Sequence, residues 1–155
     1  DIVKHIKNVH NLNIGQQTAE RLKIQIGNVA PDKTIEKMEL KGADAITGLP
    51  RRIEIDSVEV REALKEAVTQ IIEEIKKAIG QTPPEMSSDI IDRGIVMTGG
   101  GSMLKGLPKL ISKETNVPVI LVENPLECVA LGAGDAFELF KDMSTDRAVY
   151  DSLND

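Results

Sequence analysis

The chain has 155 residues, 41% hydrophobic and 28% charged, a folded globular composition long enough for one ordinary domain or two small lobes. Aromatics make up only 2% (Phe137, Phe140 and Tyr150, with no Trp) and the net charge is −6, which excludes base-stacking nucleic-acid modules and a broad basic face for phosphate backbones; no nucleic-acid partner is expected. One cysteine, Cys128, excludes an intrachain disulfide framework and a thiolate-rich zinc site, and two histidines, His5 and His10, argue against a metal site.

Taken in chain order, Ile2, Val3, Ile6 and Val9 recur at helical spacing, so residues 1–10 read as helix, broken by Asn11-Leu12-Asn13. The chain opens at Asp1 rather than Met and already within a helical pattern, so it reads as a piece of a longer protein. No segment has the form of a signal peptide or of a bilayer-spanning run. A second helix is expected from about Gly15 to Gly27, with Ala19, Leu22 and Ile26 as its apolar stripe. Val29-Ala30-Pro31-Asp32 is a turn. Thr34 to Leu40 alternates as a strand, Gly42 to Pro50 reads as a loop, and Arg52 to Asp56 alternates as its hairpin partner.

Asp56 or Ser57 is placed to cap the next helix, and Glu59 stands three residues after Asp56 as in a capping box. Val60, Leu64, Val68, Ile71, Ile75 and Ile79 form its stripe, and Gly80 with Pro83-Pro84 ends it. The remainder alternates strand and helix. A short helix is expected over 85–91, a buried strand over 94–97, a helix over 103–114 interrupted near Gly106 and Pro108, and a buried strand over 117–122. A last helix runs from Pro125 to about Lys141, and a loose polar tail from Met143. This order indicates an α/β layer with parallel strands.

Residues Gly94-Ile95-Val96-Met97-Thr98-Gly99-Gly100-Gly101-Ser102 carry the clearest chemistry. Three glycines between a strand and a helix let backbone approach a ligand with no Cβ in the way. The place is right too, because α/β ligands bind beyond the carboxyl ends of the strands. A tight packing turn explains the triplet equally well. It is neither a P-loop, lacking Gly-Lys-Ser/Thr, nor a dinucleotide fingerprint, since its third glycine falls in the wrong place.

Met97-Thr98-Gly99-Gly100-Gly101-Ser102-Met103-Leu104-Lys105-Gly106-Leu107 resembles the adenosine-binding turn of the actin, sugar-kinase and heat-shock-ATPase superfamily. Glu123-Asn124-Pro125-Leu126-Glu127-Cys128-Val129-Ala130-Leu131-Gly132-Ala133-Gly134 resembles the helix after its last strand. Within that superfamily the chain is most similar to the MreB family of bacterial actins, with support from Gly15–Gly27, Thr47-Gly48-Leu49-Pro50 and Pro83–Ile90. Sugar-kinase-type and heat-shock-type ATPases are the alternatives.

The resemblance implies a partial actin-like ATPase (ribonuclease H-like) α/β fold. Residues 1–78 would be the small lobe, subdomain IIB; residues 79–143 would be the later part of subdomain IIA, followed by a polar tail over 144–155. It implies ATP as cofactor, with Mg2+ in the full-length protein, and filament subunits as self-partners. Cell-shape and wall-synthesis machinery at the inner membrane would be further partners, and the location would be cytoplasmic, membrane-associated as filaments. The phosphate-gripping hairpins and catalytic groups of the family precede the matched segment, so no catalytic residue is assigned and this stretch alone is expected to be inactive. Strands 94–98 and 117–122 would lack neighbours at their edges.

The resemblance further implies that Glu20, Arg21, Leu22 and Lys23 form one wall over ribose and adenine, with Gly99, Gly100, Gly101, Ser102 and Met103 opposite. From spacing alone, Glu20 and Lys23 are a solvated ion pair one helical turn apart. Cys128 reads as a buried structural thiol beside Val129, and His5 and His10 as surface residues. Met38, Met86, Met97 and Met103 read mostly as core filler, Met103 with a further role against the base that the resemblance implies, Arg51-Arg52 as a solvated strand start, and Glu85, Asp89 and Asp92 as a polar helix face.

Overall fold

The computed structural model describes residues 1–31 and 34–152. Helix α1 (Ile2–His10) buries Ile2 and Ile6 and stops at Asn11, whose φ of 50° lies in the left-handed region that asparagine tolerates. Strand β1 (Leu12–Asn13) lies where only a helix break was expected; two residues are too few to show an alternation. Helix α2 (Gln16–Ile26) buries Ala19, Leu22 and Ile26 as the stripe predicted. Asp32 of the expected turn lies outside the described residues.

Strands β2 (Lys37–Asp44) and β3 (Pro50–Asp56) form an antiparallel hairpin in register Leu40↔Ile53 and Ala43↔Pro50, and β1 adds on the far side of β2. The expected loop from Gly42 is therefore shorter, because β2 continues to Asp44. Gly42 does not end the strand. It lets β1 approach, since a Cβ there would meet the Asn13 carbonyl oxygen at 2.4 Å. At the hairpin tip the Asp44 carboxylate accepts from the backbone N–H of Thr47 (2.9 Å) and Ile46 (3.0 Å), the Thr47 hydroxyl (3.1 Å) and Arg51 (2.6 Å). Chiefly through the two backbone donors, Thr47 first, these bonds lower its pKa to about 2.

Helix α3 (Ser57–Gly80) starts where the Asp56 side chain accepts from the Glu59 N–H at 2.9 Å, as the capping pattern predicted. It buries Val60, Ala63, Leu64, Val68 and Ile72, and Ile75 is partly buried; Ile71, expected on this stripe, faces solvent. The helix runs without a break past residue 78.

Helix α4 (Pro84–Arg93) leads to β4 (Ile95–Met97), then to a single 3₁₀ turn over Gly100–Met103. Helix α5 (Leu107–Thr115) and β5 (Val119–Leu121) follow. Strands β4 and β5 pair in parallel, Ile95↔Val119, and have no further neighbour among the described residues. Expected to be buried, they are not: Val96 is 61% and Ile120 50% exposed, because α5 leaves one face of this two-stranded sheet open. Helix α6 (Cys128–Ser152) starts later than Pro125 and continues through the expected loose tail. No Gly or Pro follows Gly134 to stop it. Residues 153–155 of that tail lie outside the described residues.

One contiguous core joins both parts of the chain. Leu12, Leu22, Leu40, Ile55 and Val60 pack in the same cluster as Leu107 and Ile111 of α5. Leu40→Ala is expected to cost about 2–5 kcal/mol in denaturant unfolding, and Asp56→Ala about 1 kcal/mol. Asp44 titrates lower folded than unfolded, so its stabilising contribution is complete above the ordinary value of 3.8 and is lost as pH falls toward about 2. Carbon-detected NMR titration of the Asp44 carboxyl checks this, and Asp44→Asn is expected to remove that part of the acid dependence.

Candidate functional site

The glycine turn is held from one side by the start of α6 and from within by its own hydrogen bonds. The Gly99 N–H and the Thr98 hydroxyl donate to the Pro125 carbonyl at 2.7 and 3.1 Å, and Thr98 Oγ1 also meets Cys128 Sγ. The Ser102 N–H and hydroxyl both donate to the Gly99 carbonyl at 3.1 and 2.6 Å. Gly99 takes a φ of 80°, which glycine adopts without strain. At Gly100 a Cβ would press on Leu126 Cδ2 at 3.2 Å, whereas at Gly101 it would meet nothing within 4 Å.

The opposite wall is α2. Glu20 and Lys23 pair at 2.8 Å one turn apart, as their spacing predicted, and Ile24 beside them is 65% exposed although apolar. A short backbone joint fixes the two walls. The Val29 N–H donates to the Lys105 carbonyl at 2.9 Å beside a parallel bridge between Asn28 and Lys105. Lys105 Nζ donates to the Gln25 carbonyl at 2.9 Å and lies 3.3 Å from Glu36. Gly106 makes the approach feasible: at φ 82°, a Cβ there would lie 2.6 Å from Ala30 Cβ and 2.7 Å from Asn28 Oδ1.

Between the walls lies a cleft of about 590 Å³, lined by Glu20, Lys23, Ile24, Gly100, Gly101, Met103, Leu104, Lys105 and Leu126. Its aliphatic floor suits a flat apolar group. The Glu20 carboxylate and the Lys23 and Lys105 ammonium groups suit that group's polar rim. Of the residues singled out from sequence, Glu20, Lys23, Gly100, Gly101 and Met103 meet here. Leu22 is 0% exposed and belongs to the core. Arg21 turns toward Gln25, Met38 and Lys41 on the other flank of α2. Gly99 shapes the turn without lining the cleft, and Ser102, 4% exposed, locks it. Sequence reasoning missed Ile24, Leu104, Lys105 and Leu126 as lining residues. Ile24 carried a signal, an isoleucine off the apolar stripe of its helix.

Other readings change. His5 and His10 are not free surface residues: both turn to Glu59, with Nε2 to Oε1 distances of 3.3 and 2.6 Å. Cys128 is only partly buried and Val129 is exposed. Met86 and Met103 are exposed rather than core filler. Arg51 pairs with Asp44 and Arg52 with Glu39. Among the described residues no three His, Cys, Asp or Glu side chains are grouped to hold a metal ion, and no helix is long and apolar enough to cross a membrane.

Residues 1–145 match the family described as MreB/Mbl protein. The chain belongs to the MreB/Mbl family. It is 47% identical over 134 residues to the cell shape-determining protein Mbl of Bacillus subtilis, covering 86% of this chain and 40% of that relative. It is 41% identical over 138 residues to the cell shape-determining protein MreB of Escherichia coli, covering 89% and 40%. The chain thus spans about two fifths of the length of these MreB/Mbl relatives. MreB5 of Spiroplasma citri bound to AMPPNP superposes with a TM-score of 0.88 at 30% identity, over 94% of this chain and 44% of that one. The MamK double helical filament matches in fold, with a TM-score of 0.62 at 24% identity over 79% and 37%. The fold is a partial actin-like ATPase fold, as the MreB resemblance implied.

Gly106→Ala is expected to destabilise the chain by about 1–3 kcal/mol through the positive φ alone. The same variant is expected to shift the amide resonances of Lys23 and Gly101 together, since one joint sets both walls; a shift confined to residues beside Gly106 would show the walls to be independent.

Proposed function

We propose that this chain supplies the adenosine-binding wall of an ATP-dependent, filament-forming cell-shape protein. The cleft of about 590 Å³ between α2 and the glycine turn carries this reading. Adenine lies on Ile24, Met103 and Leu126, with its edge against the Gly100-Gly101 backbone, where a side chain would stand in the way. The Glu20 carboxylate accepts from ribose hydroxyls, and Lys23, its ion-pair partner, orients it. Relatives of the same fold support the nucleotide: MreB5 of Spiroplasma citri has been solved bound to AMPPNP and to ADP.

In the MreB family the groups that hold magnesium and grip the phosphates precede the matched segment, so this reading assigns the metal and the triphosphate chemistry to other parts of the whole protein. In that protein, nucleotide closes the two halves over the cleft and sets the contacts between successive subunits. The filament acts in the cytoplasm at the inner membrane, where it guides the wall-synthesis machinery.

Calorimetric titration with adenosine and with ATP tests the wall. The two ligands are expected to bind this chain weakly and about equally, with no dependence on magnesium and no turnover. Gly101→Val is expected to fold normally, since its Cβ meets nothing, yet to lower affinity about tenfold, close to 1.4 kcal/mol, by filling the cleft. Glu20→Gln is expected to weaken adenosine more than 2′,3′-dideoxyadenosine. Unchanged affinity in Gly101→Val would place adenosine elsewhere.

A further inference from the structure

Strand β3 is the outer strand of its sheet, and no described element pairs with its free edge. Its sequence is Pro50-Arg51-Arg52-Ile53-Glu54-Ile55-Asp56. On the solvent face, Arg52 and Glu54 project with side chains 67% and 64% exposed. Their placement does not suit the edge that is paired. In the β2–β3 register Glu54 stands opposite Glu39 and Arg52 opposite Lys41, like charge facing like charge. Such direct pairs are unfavourable. They are relieved by diagonal contacts, Arg52–Glu39 at 3.3 Å and Lys37–Glu54 at 2.7 Å, and by Lys41–Glu39 at 3.8 Å along β2.

At the free edge the same residues are self-complementary. If two copies of β3 run antiparallel about Ile53, Arg52 of each faces Glu54 of the other, and no like charges face. Moving the centre to Arg52 sets arginine against arginine, and moving it to Glu54 sets glutamate against glutamate. Half-way registers throw the two buried faces onto opposite sides of the joined sheet. One register therefore satisfies both charge and face. Pro50, which lacks an N–H, falls at the end of the pairing, where its loss is smallest.

We propose that the free edge of β3 is a homotypic interface, which joins two copies of this chain through a two-fold antiparallel β3–β3 pairing centred on Ile53. The contact is short, so the dimer is weak and salt-sensitive, and it gains strength wherever many copies are already aligned. The proposal is independent of the nucleotide cleft, and adenosine binding is expected to be the same in every variant below.

Sedimentation equilibrium at low salt reads the association. The unmodified chain is expected to dimerise with rising concentration and to dissociate at high salt. Arg52→Glu places carboxylate against carboxylate at the pairing, and Glu54→Arg places guanidinium against guanidinium. Each alone is expected to lower the association constant at least tenfold. Mixed in equal amounts, the two variants become complementary and are expected to dimerise as the unmodified chain does. Both changes are on exposed side chains, and circular dichroism confirms that each variant is folded. Slowed amide exchange at β3 on concentrating the unmodified chain gives a readout that needs no substitution. A chain that stays monomeric, single variants that dimerise undiminished through another surface such as β4 and β5, or a mixture that stays monomeric would each overturn the proposal.

Discussion

The close approach of Gly106 to Ala30 and Asn28 is the constraint on which the cleft depends. Two segments far apart in sequence meet there backbone to backbone, and the Val29–Lys105 hydrogen bond fixes their distance. Everything useful about the cleft follows from that distance. Helix α2 contributes polar groups and the strand-turn segment contributes bare backbone, and neither forms a cleft alone. A side chain at position 106 would force the segments apart at the point where both walls begin. The ammonium group of Lys105 ties the same residue to the end of α2, so backbone and side chain act on one junction.

The two parts of the chain are less separable than an account in lobes suggests. Leu107 and Ile111 lie in the cluster formed by α1, α2, the hairpin and α3. The apolar interior is thus continuous beneath the cleft, and the cleft floor rests on packed side chains rather than on a hinge. This agrees with a glycine turn that is pinned, not loose: Pro125 and Gly99 carbonyls absorb its donors, and Ser102 is spent on its shape.

Much of this was legible in the sequence. The capping residue Asp56 and the stripe from Val60 to Val68 state α3 outright, because a long helix repeats its signal many times. The glycine turn and Glu20 with Lys23 were legible through their likeness to the MreB family, since spacing alone leaves an ion pair and a turn. What the sequence hid was relational. Gly42 looked like a strand end because the reason for it, a neighbouring strand, lies thirty residues earlier. Leu22 and Arg21 sat within the right motif, but a helix turns its neighbours to different sides, and one is core while the other faces away. His5 and His10 looked unrelated on their own helix because the group that unites them, Glu59, belongs to another. The exposure of β4 and β5 was hidden for the opposite reason: their apolar residues are those of a buried sheet, whereas burial depends on what stands alongside.

The length of α3 has a mechanical consequence. Its 24 residues span roughly 36 Å at 1.5 Å per residue. One end is anchored to the β-hairpin by the Asp56 cap, and its flank carries the Lys76–Glu114 contact to α5. An unbroken rod of this kind does not absorb rotation; it amplifies it. A tilt of about 5° at the Gly80 end displaces the hairpin by about 3 Å, more than half the spacing between neighbouring strands. A small change of angle at the Gly80 end is therefore a change of reach at the far edge of the sheet.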